Sequence, residues 1–129
     1  MDTFSFIKVF IDMEFYIRKK ATLPILEINL NKDGKLDYNY NKTSLTGATI
    51  TISMKDVETG IYKITNGVCT YDSTNYTIDY QFTKRNTTYV GRYEVEFKVT
   101  NQQGTIILPL RDKIFVTVLD SIVESDFCC

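Results

Sequence analysis

The stretch Arg92-Tyr93-Glu94-Val95-Glu96-Phe97-Lys98-Val99 alternates without a break. Tyr93, Val95, Phe97 and Val99 form one row, and Arg92, Glu94, Glu96 and Lys98 form the other. Successive side chains of a strand point to opposite faces, so this is a half-buried strand with a charged outer row. On a helix the same residues would scatter around the axis. The pattern recurs on both sides. Met13, Phe15 and Ile17 alternate with Glu14, Tyr16 and Arg18, and Leu26, Ile28 and Leu30 alternate with Glu27 and Asn29. Ile50, Ile52 and Met54 alternate with Thr49, Thr51 and Ser53. Tyr76, Ile78, Tyr80 and Phe82 alternate with Thr77, Asp79, Gln81 and Thr83, which places Tyr76, Tyr80 and Tyr93 in the core. Near the end, Ile114, Val116 and Val118 make one row, and Phe115, Thr117 and Leu119 the other. That strand is apolar on both sides, so its second face is expected to meet another chain.

Turn chemistry separates these runs. Asp33-Gly34 and Asn66-Gly67 read as turn dipeptides suited to positive φ, and Gly47, Gly60, Gly91 and Gly104 punctuate the rest. Thr83-Lys84-Arg85-Asn86 reads as one short turn, and no window of ten residues carries a helical period. About eight strands at regular spacing predict an all-β chain folded as an antiparallel β-sandwich. A length of 129 residues suits one domain. Residues 1–11 read as an apolar arm or edge strand, 12–120 as the sandwich and 121–129 as a tail.

Composition narrows the function. The chain has no His, which removes Ser-His-Asp and Cys-His catalysis and every His-ligated metal site. Fifteen Lys and Arg against 16 Asp and Glu leave a net charge of -1, without the basic excess a nucleic-acid binder needs. The N-terminus lacks the basic start and long apolar run of a secretory signal, and no stretch reaches the ~20 apolar residues of a membrane helix. The expected site of synthesis is therefore the cytoplasm, with no membrane partner. Cys69, Cys128 and Cys129 form an odd set, two of them adjacent; Cys69 reads as a small apolar residue in or near a strand.

Few residue groups suggest chemistry. Asn29-x-Asn31-x-Asp33-Gly34-x-Leu36-Asp37 follows the first nine positions of an EF-hand loop, but Asn stands first and Tyr40 replaces the bidentate Glu at the twelfth. A strand precedes it, so the stretch reads as a hairpin turn with no metal. Glu94 and Glu96 share one strand face, as do Asp12 and Glu14. They belong to alternating surface rows, beside Arg92 and Lys98, which favours cross-strand charge pairing over acid–base work. No catalytic residue and no cofactor are expected. Tyr38 and Tyr40 lie in a polar segment, where they read either as interface anchors or as partly covered loop rings.

Several segments occur in a familiar order. Ile17-Arg18-Lys19-Lys20-Ala21-Thr22-Leu23-Pro24-Ile25, then Asn31-Lys32-Asp33-Gly34, then Leu45-Thr46-Gly47-Ala48-Thr49-Ile50 with Met54-Lys55-Asp56, then Gly91 to Phe97 and Ile106 to Val118 follow one another. Over roughly residues 13–119 the chain resembles the immunoglobulin-like N-terminal domain of upper-baseplate proteins of tailed bacteriophages and related virion modules. The resemblance implies an Ig-like fold and a non-enzymatic structural role in the virion. Baseplate members continue into a further scaffold, so the lone domain is more similar to an auxiliary capsid (decoration), head-fibre or adaptor subunit. A tail-baseplate component, or a carbohydrate-binding or adhesion module on the same fold, are the alternatives. The implied partners are other virion proteins, in a homo-oligomer or symmetric array on the particle. The residues expected to make contact are Phe4, Phe6 and Phe10 of the arm, Tyr38 and Tyr40 of the loop, and Phe127 of the tail.

Overall fold

The computed structural model describes residues 13–29, 45, 47–109 and 113–122. Among them the chain forms nine strands and one short 3-10 helix. The strands are β1 (Met13–Arg18), β2 (Leu26–Asn29), β3 (Thr49–Asp56), β4 (Tyr62–Val68), β5 (Thr70–Asp72), β6 (Thr77–Tyr80), β7 (Gly91–Asn101), β8 (Gly104–Leu108) and β9 (Ile114–Leu119). The larger sheet runs β1-β9-β7-β3-β4, with β8 also on β7; the smaller runs β2-β6-β5. The two sheets share one hydrophobic core, so the fold is a β-sandwich, consistent with an Ig-like arrangement.

β7 is the spine of the larger sheet. Its eleven residues pair with β3 along one edge. Along the other edge, β9 takes Gly91 to Val95 and β8 takes Phe97 to Asn101. The closing segments β8 and β9 therefore lie end to end on β7 rather than against each other. The period-two rows land as the sequence predicts: Tyr93, Val95, Phe97 and Val99 are buried. They meet Ile50, Ile52 and Met54 of β3, Val116 and Val118 of β9, and Leu26, Ile28 and Ile78 from the smaller sheet. Phe82 closes one side of this core, stacked on Phe15 at 5.9 Å and edge-on to Tyr80 at 5.3 Å.

Four features depart from the sequence reading. β1 pairs with β9 in parallel, Met13 opposite Ile114 through Arg18 opposite Leu119, so the sandwich is not wholly antiparallel. Asn66-Gly67 is not a turn between strands. It lies inside β4, where Asn66 takes φ 57° and the pairing with β3 slips between Ile52 and Met54 and again before Lys55. The dipeptide builds a bulge, which satisfies the same left-handed preference that a turn would. Tyr76 is exposed, not core; its φ of 58° puts it in the β5–β6 turn, and the strand begins at Thr77. The second face of β9 is covered by the chain itself at Phe115, where the Arg92 guanidinium carbon stands 3.6 Å from the ring centre and Phe115 is 6 % exposed, while Thr117 and Leu119 are half-buried.

The turn read at Asp33-Gly34, the arm at 1–11 and all of the tail beyond residue 122 lie outside the described residues; the turn read at Thr83 to Asn86 is present. Lys84–Thr87 is the 3-10 helix, and Thr83 caps it. The Asn86 amide donates to Thr83 Oγ1 (3.3 Å), and the Thr83 amide donates to Asn86 Oδ1 (2.8 Å). Two further bonds tie this turn to the sandwich. Tyr80 Oη donates to Asn86 Oδ1 (2.8 Å), and buried Thr87 Oγ1 donates to the Ala21 carbonyl (2.9 Å). Cys69 sits where the chain crosses from β4 to β5 and so from one sheet to the other; its amide donates to the Ile50 carbonyl (3.0 Å).

Candidate interaction surfaces

One end of the sandwich collects apolar side chains that follow no strand period. The β3–β4 connection places Val57 and Ile61 there, and the segment before β7 places Tyr89 and Val90 there. All four are exposed, Ile61 at 68 % and Tyr89 at 65 %. One backbone bond joins the β3–β4 connection to β7, the Val57 amide donating to the Arg92 carbonyl (3.0 Å), and from β7 Tyr93 Oη donates back to the Tyr89 carbonyl (2.9 Å). The β3–β4 loop is held by Asp56, whose Oδ1 accepts the amides of Glu58 (2.8 Å) and Thr59 (3.0 Å). Cations flank the patch. Lys63 Nζ stands 4.7 Å from the Tyr89 ring centre, and Lys55 Nζ stands 6.0 Å from that of exposed Tyr62. Lys84 and Arg85 add two exposed cations on the 3-10 helix just before Tyr89. An apolar cluster rimmed by charge is the usual signature of a protein-contact site.

The outer face of the larger sheet carries a second arrangement. Strand register sets Tyr62, Lys55, Glu94, Phe115 and Glu14 side by side across five strands. Arg92 bridges the Phe115 ring and ion-pairs with Glu14 two strands away. Beside this bridge, Ser53, Lys55, Tyr62, Glu94 and Glu96 line a shallow concavity of about 150 Å³. The Arg92–Glu14 pair realises the cross-strand charge pairing expected of Glu14.

Burial, reinforced by the nearby Asp79 carboxylate, pushes the Cys69 thiol up to about 12, so it is protonated and inert at neutral pH. Burial also raises Tyr80, with the neighbouring Cys69 adding to it, and burial and Asp56 raise Tyr93. Among the described residues no group of three or more Cys, Asp or Glu side chains is placed to hold a metal ion. Asn29 is the one ligand position of the EF-hand-like stretch inside the described residues, and its Nδ2 donates to the Asn75 carbonyl (3.5 Å). No helix among the described residues is long and apolar enough to cross a membrane.

The contact residues expected from the sequence, Phe4, Phe6, Phe10, Tyr38, Tyr40 and Phe127, all lie outside the described residues. The patch of Val57, Ile61, Tyr89 and Val90 was not legible from periodicity. Its one sequence signal is apolar residues in turn context, Gly60-Ile61-Tyr62 and Tyr89-Val90-Gly91, where solvent exposure is the rule. Compared with known proteins, the chain matches no family model and no curated protein.

Proposed function

We propose that the protein is a non-enzymatic structural subunit of a tailed-bacteriophage particle. It acts as an auxiliary capsid (decoration), head-fibre or adaptor component that docks on other virion proteins. The observation that carries the docking role is the exposed, lysine-flanked cluster of Val57, Ile61, Tyr62, Tyr89 and Val90 at one end of a rigid sandwich. Aromatic rings beside cations offer large contact area at low entropic cost, and repetition on a symmetric particle multiplies weak contacts. The resemblance of residues 13–119 to virion Ig-like domains supplies the class of particle. A baseplate position is the second place that resemblance allows.

Mass spectrometry of purified particles tests the proposal directly. The protein is expected at stoichiometric copy number, and its absence from particles refutes the reading. Cross-linking then separates head from tail neighbours. Tyr89→Ser with Val90→Ser is expected to abolish incorporation with no change in melting temperature, since both residues are already exposed. Unchanged incorporation moves the docking role off this patch.

The concavity beside Tyr62 favours a second reading, glycan binding on the same fold. Two carboxylates, a hydroxyl and an ammonium beside an exposed ring suit a polyhydroxylated ligand. A glycan array probed with the isolated protein decides it: binding that Tyr62→Ala removes supports the reading, and a blank array refutes it.

A further inference from the structure

Among the described residues, β1, β4 and β8 of the larger sheet each pair on one side only, and they differ in a way that bears on assembly: β8 has five residues in register with β7, against six for β1 on β9. β4 carries two register slips and the left-handed Asn66, so its outward hydrogen-bonding groups are unevenly spaced. Such an edge is a poor template for strand addition. β1 has six residues in unbroken register with β9. The Met13 amide donates to the Lys113 carbonyl (2.9 Å) and the Lys19 amide to the Leu119 carbonyl (2.7 Å). Odd-numbered residues of β1 therefore direct their backbone groups at β9, and Glu14, Tyr16 and Arg18 direct theirs to the opposite side. Among the described residues no strand lies there. The smaller sheet offers only shorter edges, four residues in β2 and three in β5.

The side chains on this edge are complementary to themselves. Tyr16 is 56 % exposed and stands midway between Glu14 and Arg18 on the outer face. A two-fold axis through Tyr16 would set the edge antiparallel to its own copy. Tyr16 would then face the partner subunit's Tyr16, each Glu14 would face an Arg18, and each Phe15 would face an Ile17 on the inner face. Slipping the register so that Glu14 or Arg18 meets its own copy sets like charges opposite each other, which is unfavourable. The charges remain available. Glu14 gives one carboxylate oxygen to Arg92, and Arg18 gives Nη1 to the Asp120 carbonyl (2.7 Å), which leaves a second oxygen and the other guanidinium donors. Lys20, at φ 65°, turns the chain away just beyond Arg18.

We infer that a second copy of this chain adds to the β1 edge, forming a two-fold dimer in which the larger sheets run on as one. The contact is isologous and closes on itself, as most homodimers do. It does not depend on the virion reading, because it follows from backbone direction and side-chain order alone.

Two variants and one mapping experiment test it. Sedimentation equilibrium is run on the full chain over a concentration series, with amide hydrogen exchange at both ends of the series. The expected mass rises to twice that of the chain, and protection appears at the amides of Glu14, Tyr16 and Arg18 as it does. The amides of Phe15 and Ile17 are protected at every concentration. Tyr16→Pro removes an outward amide, a placement that an edge strand tolerates, together with the ring that would face the partner subunit's Tyr16. It is expected to weaken the dimer by at least about tenfold, since two symmetry-related bonds are lost. Arg18→Glu sets like charges opposite Glu14 and is expected to weaken it as well. If Tyr16→Pro fails to fold, Arg18→Glu decides, and an unchanged dimer overturns the inference. A monomer at all concentrations, or a dimer that protects other amides, overturns it too.

Discussion

Replacing Gly67 by Ala puts a methyl group where three side chains already stand. Its carbon would lie 2.9 Å from Ile52 Cγ2, 2.9 Å from Ile64 Cγ2 and 3.1 Å from Tyr80 Cε1. None of these can swing aside easily. The two Cγ2 atoms belong to β-branched residues with stiff χ1, both buried, and the ring is held through Tyr80 Oη on Asn86. Overpacking of this kind costs about 1–3 kcal/mol. Gly67 lies outside the positive-φ set, so alanine adopts its backbone without strain. The reduced freedom of the unfolded chain then returns about 0.4–1 kcal/mol. The net expectation is a loss of about 0–2.6 kcal/mol with a central value of about 1.3 kcal/mol, which lowers the melting temperature by about 4–8 °C for a domain of this size. Calorimetry or far-ultraviolet circular dichroism measures it, with Gly60→Ala as the comparison. Gly60 has open space around its Cβ position but φ 76°, so any cost there is backbone strain alone. A Gly67→Ala protein as stable as the parent would refute the argument that the β4 bulge exists to bring bare backbone against the facing sheet.

Further outcomes follow from the same geometry. In a Cys128→Ser, Cys129→Ser background, Cys69 is expected to resist alkylation at pH 8 in the folded protein and to react at once in denaturant; fast native labelling would contradict its burial. Because folding raises the Cys69 pKa from 9.0 to about 12, the folded state holds this proton more tightly than the unfolded chain. Its contribution is intact below pH 9 and falls as pH climbs toward 12, and the raised Tyr80 and Tyr93 act in the same direction. Urea midpoints should therefore decline over that range. Thr87→Val removes the bond from the buried Thr87 hydroxyl to the half-buried Ala21 carbonyl and is expected to cost about 0.5–1.5 kcal/mol by denaturant titration. Arg92→Ala uncovers Phe115 and frees Glu14, with an expected loss of about 1 kcal/mol that Arg92→Lys restores only in part, because an ammonium cannot lie flat on the ring.

Period-two alternation made β1, β3, β7 and β9 readable, since which face a residue takes in a strand is a property of the residue and its immediate neighbours. The same rule misplaced Tyr76, where a left-handed turn residue imitates the alternation of the strand that follows it. It also gave no account of Val57, Ile61, Tyr89 and Val90. They belong to two turns 28 or more positions apart in sequence, and only the pairing of β3 with β7 brings them together. Arg92 shows the same limit. Its place in a charged row is written in the sequence, but its partners Phe115 and Glu14 follow from strand order.

The sequence by itself determined an all-β chain, the inward rows of β1, β3, β7 and β9, the short turn at Thr83 to Asn86 and an apolar role for Cys69. These rest on local rules: strand geometry, turn chemistry and hydrophobicity. The tertiary structure alone decided that β1 runs parallel to β9, that Asn66-Gly67 bends a strand instead of ending one, and that β1 is a regular edge while β4 is a broken one. Those choices depend on which distant segments share hydrogen bonds and how closely the two sheets approach. No window of neighbouring residues contains that information, because the energies that settle it arise only when the core closes.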